Sequence, residues 1–459
     1  ENVKITDAGA EGKAVARVDD RVVFVPFAAP GDLVDIQITK KRKSYLKGNV
    51  LKFHELSDKR MEPRCEHFGT CGGCKWQHLK YEEQLAFKQK QVKDNLERLG
   101  KFEMPELNPI LPSENIYFYR NKLEFTFSSR RWLTEYSKDI DFADRNMNGL
   151  GFYMPGMFDR VLNIENCYLQ EEPSNPIRLA VRDYTQQLSL SYYDVKKQTG
   201  FLRNLLIRTS STGDVMVVLV VKYEDMENIR KVLSFIADKF PLVTSLMYAV
   251  NEGVNDVFAG YEIKLFKGDP YITEEMEGLK FRVGPVSFYQ TNSQQAYELY
   301  KVAREYAGLT GKEIVYDLYT GTGTIANFIA RQAEKVIGIE YVESAVEDAR
   351  VNSNINGIDN TTFHSGDIAK VLNDEFVDKN GRPDVIISDP PRAGMHQKVV
   401  EQLLNIAPDK IIYISCNPAT QARDVTILNE LYTVAEIQPV DMFPHTHHVE
   451  NVMKLTKRK

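Results

Sequence analysis

No apolar run in this 459-residue chain approaches the ~18 residues that a membrane-spanning helix needs. The first residues, Glu1-Asn2-Val3-Lys4, lack the basic-then-apolar pattern of a secretory signal. Both absences predict a cytoplasmic protein. Cysteine is scarce: five residues, an odd number, exclude a disulfide framework as the basis of the fold. Excess positive charge is missing too. A formal net charge of −6 excludes a uniformly basic nucleic-acid binder and leaves only local basic concentrations for that purpose. There is no internal repeat and no low-complexity segment, which excludes a solenoid or a disordered tail. What is present is globular composition, 43% apolar and 27% charged, at a length that predicts two to three domains.

Residues 1–57 read as short strands. Lys13–Val18 and Arg21–Pro26 flank the turn Asp19-Asp20, Leu33–Ile38 alternates after Pro30-Gly31-Asp32, and Gly48–Phe53 closes the unit. So many strands in so few residues predict a small barrel of the OB type. The tract Lys40-Lys41-Arg42-Lys43 is placed in the loop between its last two strands, and alone it reads more readily as a solvated loop than as a nucleic-acid contact. Tyr81–Leu99 predicts a polar helix ending at a Gly100 cap. Residues from about 115 to 275 mix strands and helices, as at Lys122–Phe127 and Val215–Val220, an α+β pattern. From about 310 the pattern becomes regular α/β. Ile314–Leu318, Val336–Glu340, Val385–Ser388 and Ile411–Ser415 are near-continuous apolar strands separated by helices, which predicts a buried parallel sheet ending in antiparallel strands near Val449–Leu455.

The segment Asp317-Leu318-Tyr319-Thr320-Gly321-Thr322-Gly323-Thr324 follows the first of these strands and opens a helix. Its glycines permit a tight turn and close approach to a ligand. Seventeen residues beyond Gly323, Glu340 ends the second strand, placed to accept hydrogen bonds from ribose hydroxyls. Asp367, after the third strand, reaches towards an adenine edge. A nicotinamide dinucleotide shares the ribose logic but wants a third glycine for its pyrophosphate. Thr324-Ile325-Ala326 offers none in register, so S-adenosylmethionine is the better match.

Three further segments fall at strand C-termini, where open α/β sheets bind ligands: Asp389-Pro390-Pro391-Arg392, Ser415-Cys416-Asn417-Pro418 and His445-Thr446-His447-His448-Val449-Glu450. A lone cysteine is usually a small buried hydrophobe, but Cys416 stands at a turn where a nucleophile would be exposed. These residue types suit methylation at carbon 5 of uracil. A thiolate adding at carbon 6 places electron density on carbon 5, a methyl group is transferred there, and a carboxylate removes the carbon-5 proton before elimination. Gln290 and Asp389 suit reading the edge of a flipped base. A separate crowding, Cys65-x5-Cys71-Gly72-Gly73-Cys74 with Cys167 as a distant fourth, suits an iron–sulfur cluster or zinc, with His67 or His78 as alternative zinc ligands.

Together, Phe288-Tyr289-Gln290-Thr291-Asn292, the Asp317–Gly323 turn, Asp389-Pro390-Pro391-Arg392-Ala393-Gly394, Ser415–Pro418 and His445–Glu450 resemble the bacterial RNA uracil-5-methyltransferases over nearly the whole chain. The resemblance implies Cys416 as nucleophile and Glu450 as base. It implies contacts to S-adenosylmethionine or the target base from Gln290, Tyr319, Gly321, Gly323, Thr324, Glu340, Asp367 and Asp389; the family commonly carries Asn where Thr324 stands and often at Asp367. Residues 1–57 look like its TRAM domain. Its ribosomal-RNA branch implies a 4Fe–4S cluster on Cys65, Cys71, Cys74 and Cys167, and hence 23S ribosomal RNA as partner, with no obligate protein partner. Transfer RNA as substrate and a non-catalytic iron–sulfur RNA scaffold are the alternatives. A radical S-adenosylmethionine enzyme is disfavoured, because its Cys-x3-Cys-x2-Cys loop leaves one iron open. The expected organisation is a barrel at 1–57, an iron–sulfur domain at 58–280, whose helix near 77–108 is able to pack with the catalytic domain, and a Rossmann-like methyltransferase domain at 281–459.

Replacing Lys40, Lys41, Arg42 and Lys43 together by Ala should weaken RNA binding and flatten its salt dependence. Each lost phosphate contact lowers the log–log slope by about 0.7–0.9. Filter binding from low to high salt measures this, and an unchanged slope would reduce the tract to a solvated loop.

Overall fold

The computed structural model describes residues 1–134, 146–255 and 260–459. Strands β1 (Val3–Ala8), β2 (Ala14–Val18), β3 (Arg21–Val25), β4 (Leu33–Lys41) and β5 (Tyr45–Glu55) form a closed barrel in the order β1-β2-β3-β5-β4. The parallel β3–β5 pair and the antiparallel β1–β4 closure give OB connectivity. Period-two alternation directs Ile5, Ala16, Val23, Val25 and Val34 into its core. Lys40 and Lys41 do not lie in a loop. They continue β4, paired with Lys47 and Leu46 of β5, so only Arg42 and Lys43 turn the corner.

The described residues divide into two compact units, and neither is a continuous stretch of chain. One combines 1–63, 75–116 and 288–459; the other combines 64–74 and 117–287. The expected central span 58–280 is therefore split, and its helical part belongs with the barrel and the catalytic sheet.

The second unit is built on an eight-stranded sheet. Its strands are β6 (Lys122–Ser128), β7 (Arg131–Trp132), β8 (Gly149–Tyr153), β9 (Val161–Asn163), β10 (Leu202–Thr209), β11 (Val215–Val221), β12 (Ser245–Val250) and β13 (Ile263–Gly268), in the order β13-β12-β11-β10-β6-β8-β9-β7. Every residue of Val215–Val221 is buried, which explains its unbroken apolar run. Helices α2 (Ser174–Gln187) and α3 (Met226–Lys239) pack on this sheet, and a hairpin of β14 (Ile272–Met276) and β15 (Leu279–Val283) follows.

In the first unit, α1 (Tyr81–Leu99) spans the expected residues. Its terminal glycine is extended rather than left-handed. Gly100 is required because a Cβ there would lie 2.5 Å from the Leu96 carbonyl oxygen and 2.6 Å from the Phe102 ring. The catalytic sheet runs β18 (Thr361–Ser365), β17 (Lys335–Glu340), β16 (Ile314–Leu318), β19 (Val385–Ser388), β20 (Lys410–Ser415), β22 (Glu450–Lys457) and β21 (Tyr432–Val440). The strands from β18 to β20 are parallel, and β22 is antiparallel to both its neighbours. Helices α4 (Ser293–Ala307), α5 (Thr324–Ala330), α6 (Glu343–Ile355), α7 (Ile368–Val371), α8 (Asp374–Asn380), α9 (Gln397–Ile406) and α10 (Pro418–Leu428) alternate with these strands. Among the described residues no helix is long and apolar enough to cross a membrane.

Helix α1 reads as polar but buries a stripe at Gln84, Lys88, Val92 and Leu96, spaced at i, i+4. Its two polar members are satisfied by distant partners. Lys88 Nζ donates to Asp441 Oδ1 at 2.5 Å and to the Phe443 carbonyl at 2.9 Å, with both charged side chains fully buried. Tyr81 donates to the other Asp441 oxygen at 2.8 Å. Gln84 Oε1 accepts from the His445 amide at 2.8 Å, and its Nε2 lies 3.2 Å from His445 Nδ1. Lys88→Ala should destabilise the protein by about 3–5 kcal/mol, because Asp441 would remain buried and charged. In urea unfolding, adding Asp441→Leu to Lys88→Met should recover much of that loss; simple additivity of the two single losses would refute the coupling.

Candidate active site

The site forms at the C-terminal ends of β16, β17, β19 and β20. The chain leaves β16 through a sharp turn that needs three positive φ angles, at Tyr319 (64°), Gly321 (54°) and Gly323 (75°). Gly323 is also packed from the side: a Cβ would lie 2.8 Å from that of Ala349. Gly321 is different, since a Cβ there would meet nothing within 4 Å, so its backbone borders open space. Glu340, at the end of β17, accepts from the Gly321 amide at 3.1 Å and the Val342 amide at 2.9 Å, fixing its carboxylate beside the turn. Thr324 opens α5 with its hydroxyl 3.3 Å from that of Thr322, which donates to the Phe288 carbonyl at 3.4 Å. Asp367 caps α7 by accepting from Ala369 N at 3.1 Å. Glu340 and Asp367 both act electrostatically on the Tyr319 hydroxyl, which burial pushes up to about 12, so these three form one group. Gln290 lies half-buried just before Asn292, which caps α4 and donates to the Met442 carbonyl at 2.9 Å.

A second group is defined by charge. Cys416 follows the end of β20, where Asn417 caps α10 and Pro418 occupies its first turn. Glu450 begins β22, whose Asn451 pairs with Ser415. The Cys416 thiol and the Glu450 carboxyl therefore emerge side by side because the two strands run in opposite directions. Burial pushes the Cys416 thiol up to about 11, Glu450 and Asp389 push in the same direction, and Arg392 opposes them. Burial, reinforced by Asp389, holds the Glu450 carboxyl well above the usual range. Burial raises Asp389 to about 7 and, with Asp389 adding to it, Asp317 to about 7.

Asp317 was legible only as part of the turn, yet it ends β16, is fully buried, accepts from Thr320 Oγ1 at 2.5 Å and Ala326 N at 3.1 Å, and has one oxygen without a partner. Tyr300 of α4 is also buried within electrostatic reach of Asp389, Asp317 and Glu450, and no motif marks it. The histidines before Glu450 are held neutral. Burial pushes His445 and His447 down to about 4, with Lys88 adding to the effect on His445 and Arg392 to that on His447. A cleft of about 640 Å3 runs between barrel residues such as Arg17 and Phe24, the α1 residues Lys90 and Arg98, and Arg392, Asn417 and Pro418.

In the second unit, the cysteines far apart in sequence are brought close. Cys167 acts electrostatically on Cys65, and Cys71 on Cys167; Cys65 and Cys74 both act on Tyr117. Among the described residues no three His, Cys, Asp or Glu side chains converge so as to hold one metal ion.

Residues 263–458 match the family described as tRNA (Uracil-5-)-methyltransferase, and residues 1–51 match the TRAM domain. An RNA methyltransferase of Bacteroides thetaiotaomicron, described as uncharacterised, is 58% identical over 98% of this chain and all of its own length. A second such protein, from Porphyromonas gingivalis, is 53% identical over 99% of both chains. The chain belongs to the S-adenosylmethionine-dependent RNA uracil-5-methyltransferases. The solved Pyrococcus abyssi tRNA (uracil-54, C5)-methyltransferase, in complex with S-adenosyl-L-homocysteine, superposes with a TM-score of 0.78 at 29% identity, covering 99% of this chain and 100% of its own.

In this methyltransferase the free thiol should react slowly. Iodoacetamide labelling of Cys416, followed by peptide mass spectrometry, should rise about tenfold per pH unit between pH 8 and 10. Arg392→Ala should slow it at a given pH and Glu450→Gln should accelerate it. A plateau reached by pH 9 would show that the site does not hold the thiol protonated.

Proposed function

We propose that the protein methylates carbon 5 of a uridine in 23S ribosomal RNA through a covalent adduct on Cys416. The observation that carries this reading is the grouping of one thiol with Asp389 and Glu450 at adjoining strand ends. S-adenosylmethionine supplies an electrophilic methyl group. The residues fit it: Gly321 leaves open space for its approach, Glu340 stands by for ribose hydroxyls, and the unpartnered oxygen of buried Asp317 seeks a polar ligand group. Tyr319, Gly323, Thr324 and Asp367 complete that side, while Gln290 and Asp389 hold the flipped base. The Cys416 thiol gives up its proton, with the Asp389 carboxylate as the acceptor beside it, and its sulfur bonds to carbon 6; the displaced π electrons make carbon 5 the nucleophile that takes the methyl, the S–CH3 bond breaking so that the cofactor would leave as the neutral thioether. Glu450, at the strand end adjoining that of the thiol, removes the carbon-5 proton as its carboxylate. The electron pair left behind re-forms the 5,6 double bond and expels the thiolate. The cleft leading from the barrel to Asn417 gives an RNA strand a path to the thiol.

Cys65, Cys71, Cys74 and Cys167 hold a 4Fe–4S cluster in this reading. A single zinc ion would need thiolates converging within about 2.3 Å of one point. Thiols that neighbour one another without converging suit the separate corners of a larger cluster. The second reading takes transfer RNA as substrate, favoured by the archaeal tRNA methyltransferase that matches the full length of this chain, barrel included. Labelled cofactor with naked 23S RNA and with transfer RNA, followed by mapping of the product, decides between them.

Glu450→Gln, given S-adenosylmethionine and RNA, should accumulate a denaturation-resistant protein–RNA adduct carrying the methyl group, whereas Cys416→Ala should form none. Gel mobility and mass measurement separate these outcomes. Normal turnover by Glu450→Gln would transfer the base role to Asp389, and uridine methylation by Cys416→Ala would end the covalent mechanism.

A further inference from the structure

The interior of the second unit holds a cation that its protein partners do not balance. Arg178, on α2, is fully buried, and its Nη2 donates to the Glu165 carbonyl at 2.8 Å and to Asn175 Oδ1 at 2.9 Å, both neutral acceptors. Its Nε and Nη1 are buried and have no hydrogen-bond partner. The guanidinium lies 5.0 Å from the Phe125 ring centroid. The carboxylates in reach, Glu165 and Glu172, act on it only at a distance, and Glu165 is ion-paired at 2.6 Å with Arg182 instead. A buried, half-satisfied guanidinium is costly, and a fold retains one where an anion offsets it.

A further source of negative charge is the cysteine site. Cys167 is an electrostatic partner of Arg178, and the two are tied through one side chain: Asn175 Oδ1 accepts from both the Cys167 amide, at 2.9 Å, and Arg178. A neutral thiol would not offset the cation. A 4Fe–4S cluster on four thiolates, with a net charge of about −2, would. Resting on the cluster assigned above, we propose that Arg178 is the counter-cation of the four-cysteine site, holding its anionic group in place and raising its reduction potential. A fixed positive charge beside the cluster favours the reduced state, which carries one more electron. Arg178 is a positioning residue and touches no substrate.

The test uses the full-length protein, purified anaerobically, with iron content and midpoint potential as readouts. Arg178→Met should lower the potential and speed loss of iron to a chelator, while Arg178→Lys, which keeps the charge, should leave the potential near that of the unaltered protein. Equal potentials and equal iron retention in the Met variant and the unaltered protein would overturn the proposal. If the Met variant does not accumulate, Arg178→Gln, which removes the charge but keeps hydrogen-bonding groups, carries the test: a lowered potential supports the role of charge, and full iron content at the unaltered potential overturns it. Stoichiometric zinc without iron in the unaltered protein would instead refute the cluster. The two failures are thus told apart before any variant is made.

Discussion

The catalytic unit depends on one buried ion pair. Lys88 reaches from α1 to Asp441, at the start of the connection that delivers Glu450 to the head of β22. That connection has little regular structure, and its direction is set by what α1 gives it. Asp441 receives Lys88 and Tyr81, the Phe443 carbonyl receives Lys88, and the His445 amide donates to Gln84. Three side chains on one helix therefore satisfy the Asp441 carboxylate and two backbone groups of this connection, which would otherwise be costly to leave unpaired. His445 sits at a φ of 63°, and its carbonyl accepts from the Lys75 and Trp76 amides, so the segment that leads into α1 is bound to the same turn.

The chemistry at the sheet end follows from packing acids together where water is scarce. Asp317, Asp389 and Glu450 raise one another's proton affinity or that of Cys416, and Arg392, which is exposed, opposes them at the thiol. The free protein consequently keeps the Cys416 thiol protonated, with Asp317 and Asp389 raised to about 7 beside it. A thiol maintained in that state is protected from casual alkylation and oxidation until a base with its own polar edge enters and changes the local field.

Much of this was legible. The apolar runs at Ile314–Leu318 and Val385–Ser388 are strands with those bounds, because a buried parallel strand advertises itself by continuous hydrophobicity. The glycine turn and its partner acid Glu340 were legible because backbone geometry demands particular residues there. Lys88, Gln84 and Arg178 were not, since a charged residue on a helix reads as solvated unless its partner is known, and Asp441 lies 353 residues from Lys88. The true unit boundaries were hidden for the same reason. No composition shift separates Cys74 from Lys75, although they belong to different units. Gly100 is the helix cap that was read, but what demands a glycine there is a neighbouring ring and carbonyl that sequence spacing does not reveal.

The interleaving of the two units carries a consequence for synthesis. At roughly 5–20 residues per second, the 353 residues between Lys88 and Asp441 take on the order of half a minute to appear. Through that interval α1 has emerged with its lysine unpaired, whereas every residue of the second unit has been made by position 287. The order of assembly is thus written into the chain. The cysteine-bearing unit is able to close first, and the catalytic sheet is sealed only when its final strand enters between two already formed. A nascent chain interrupted before Asp441 would present a complete cysteine unit and no active site.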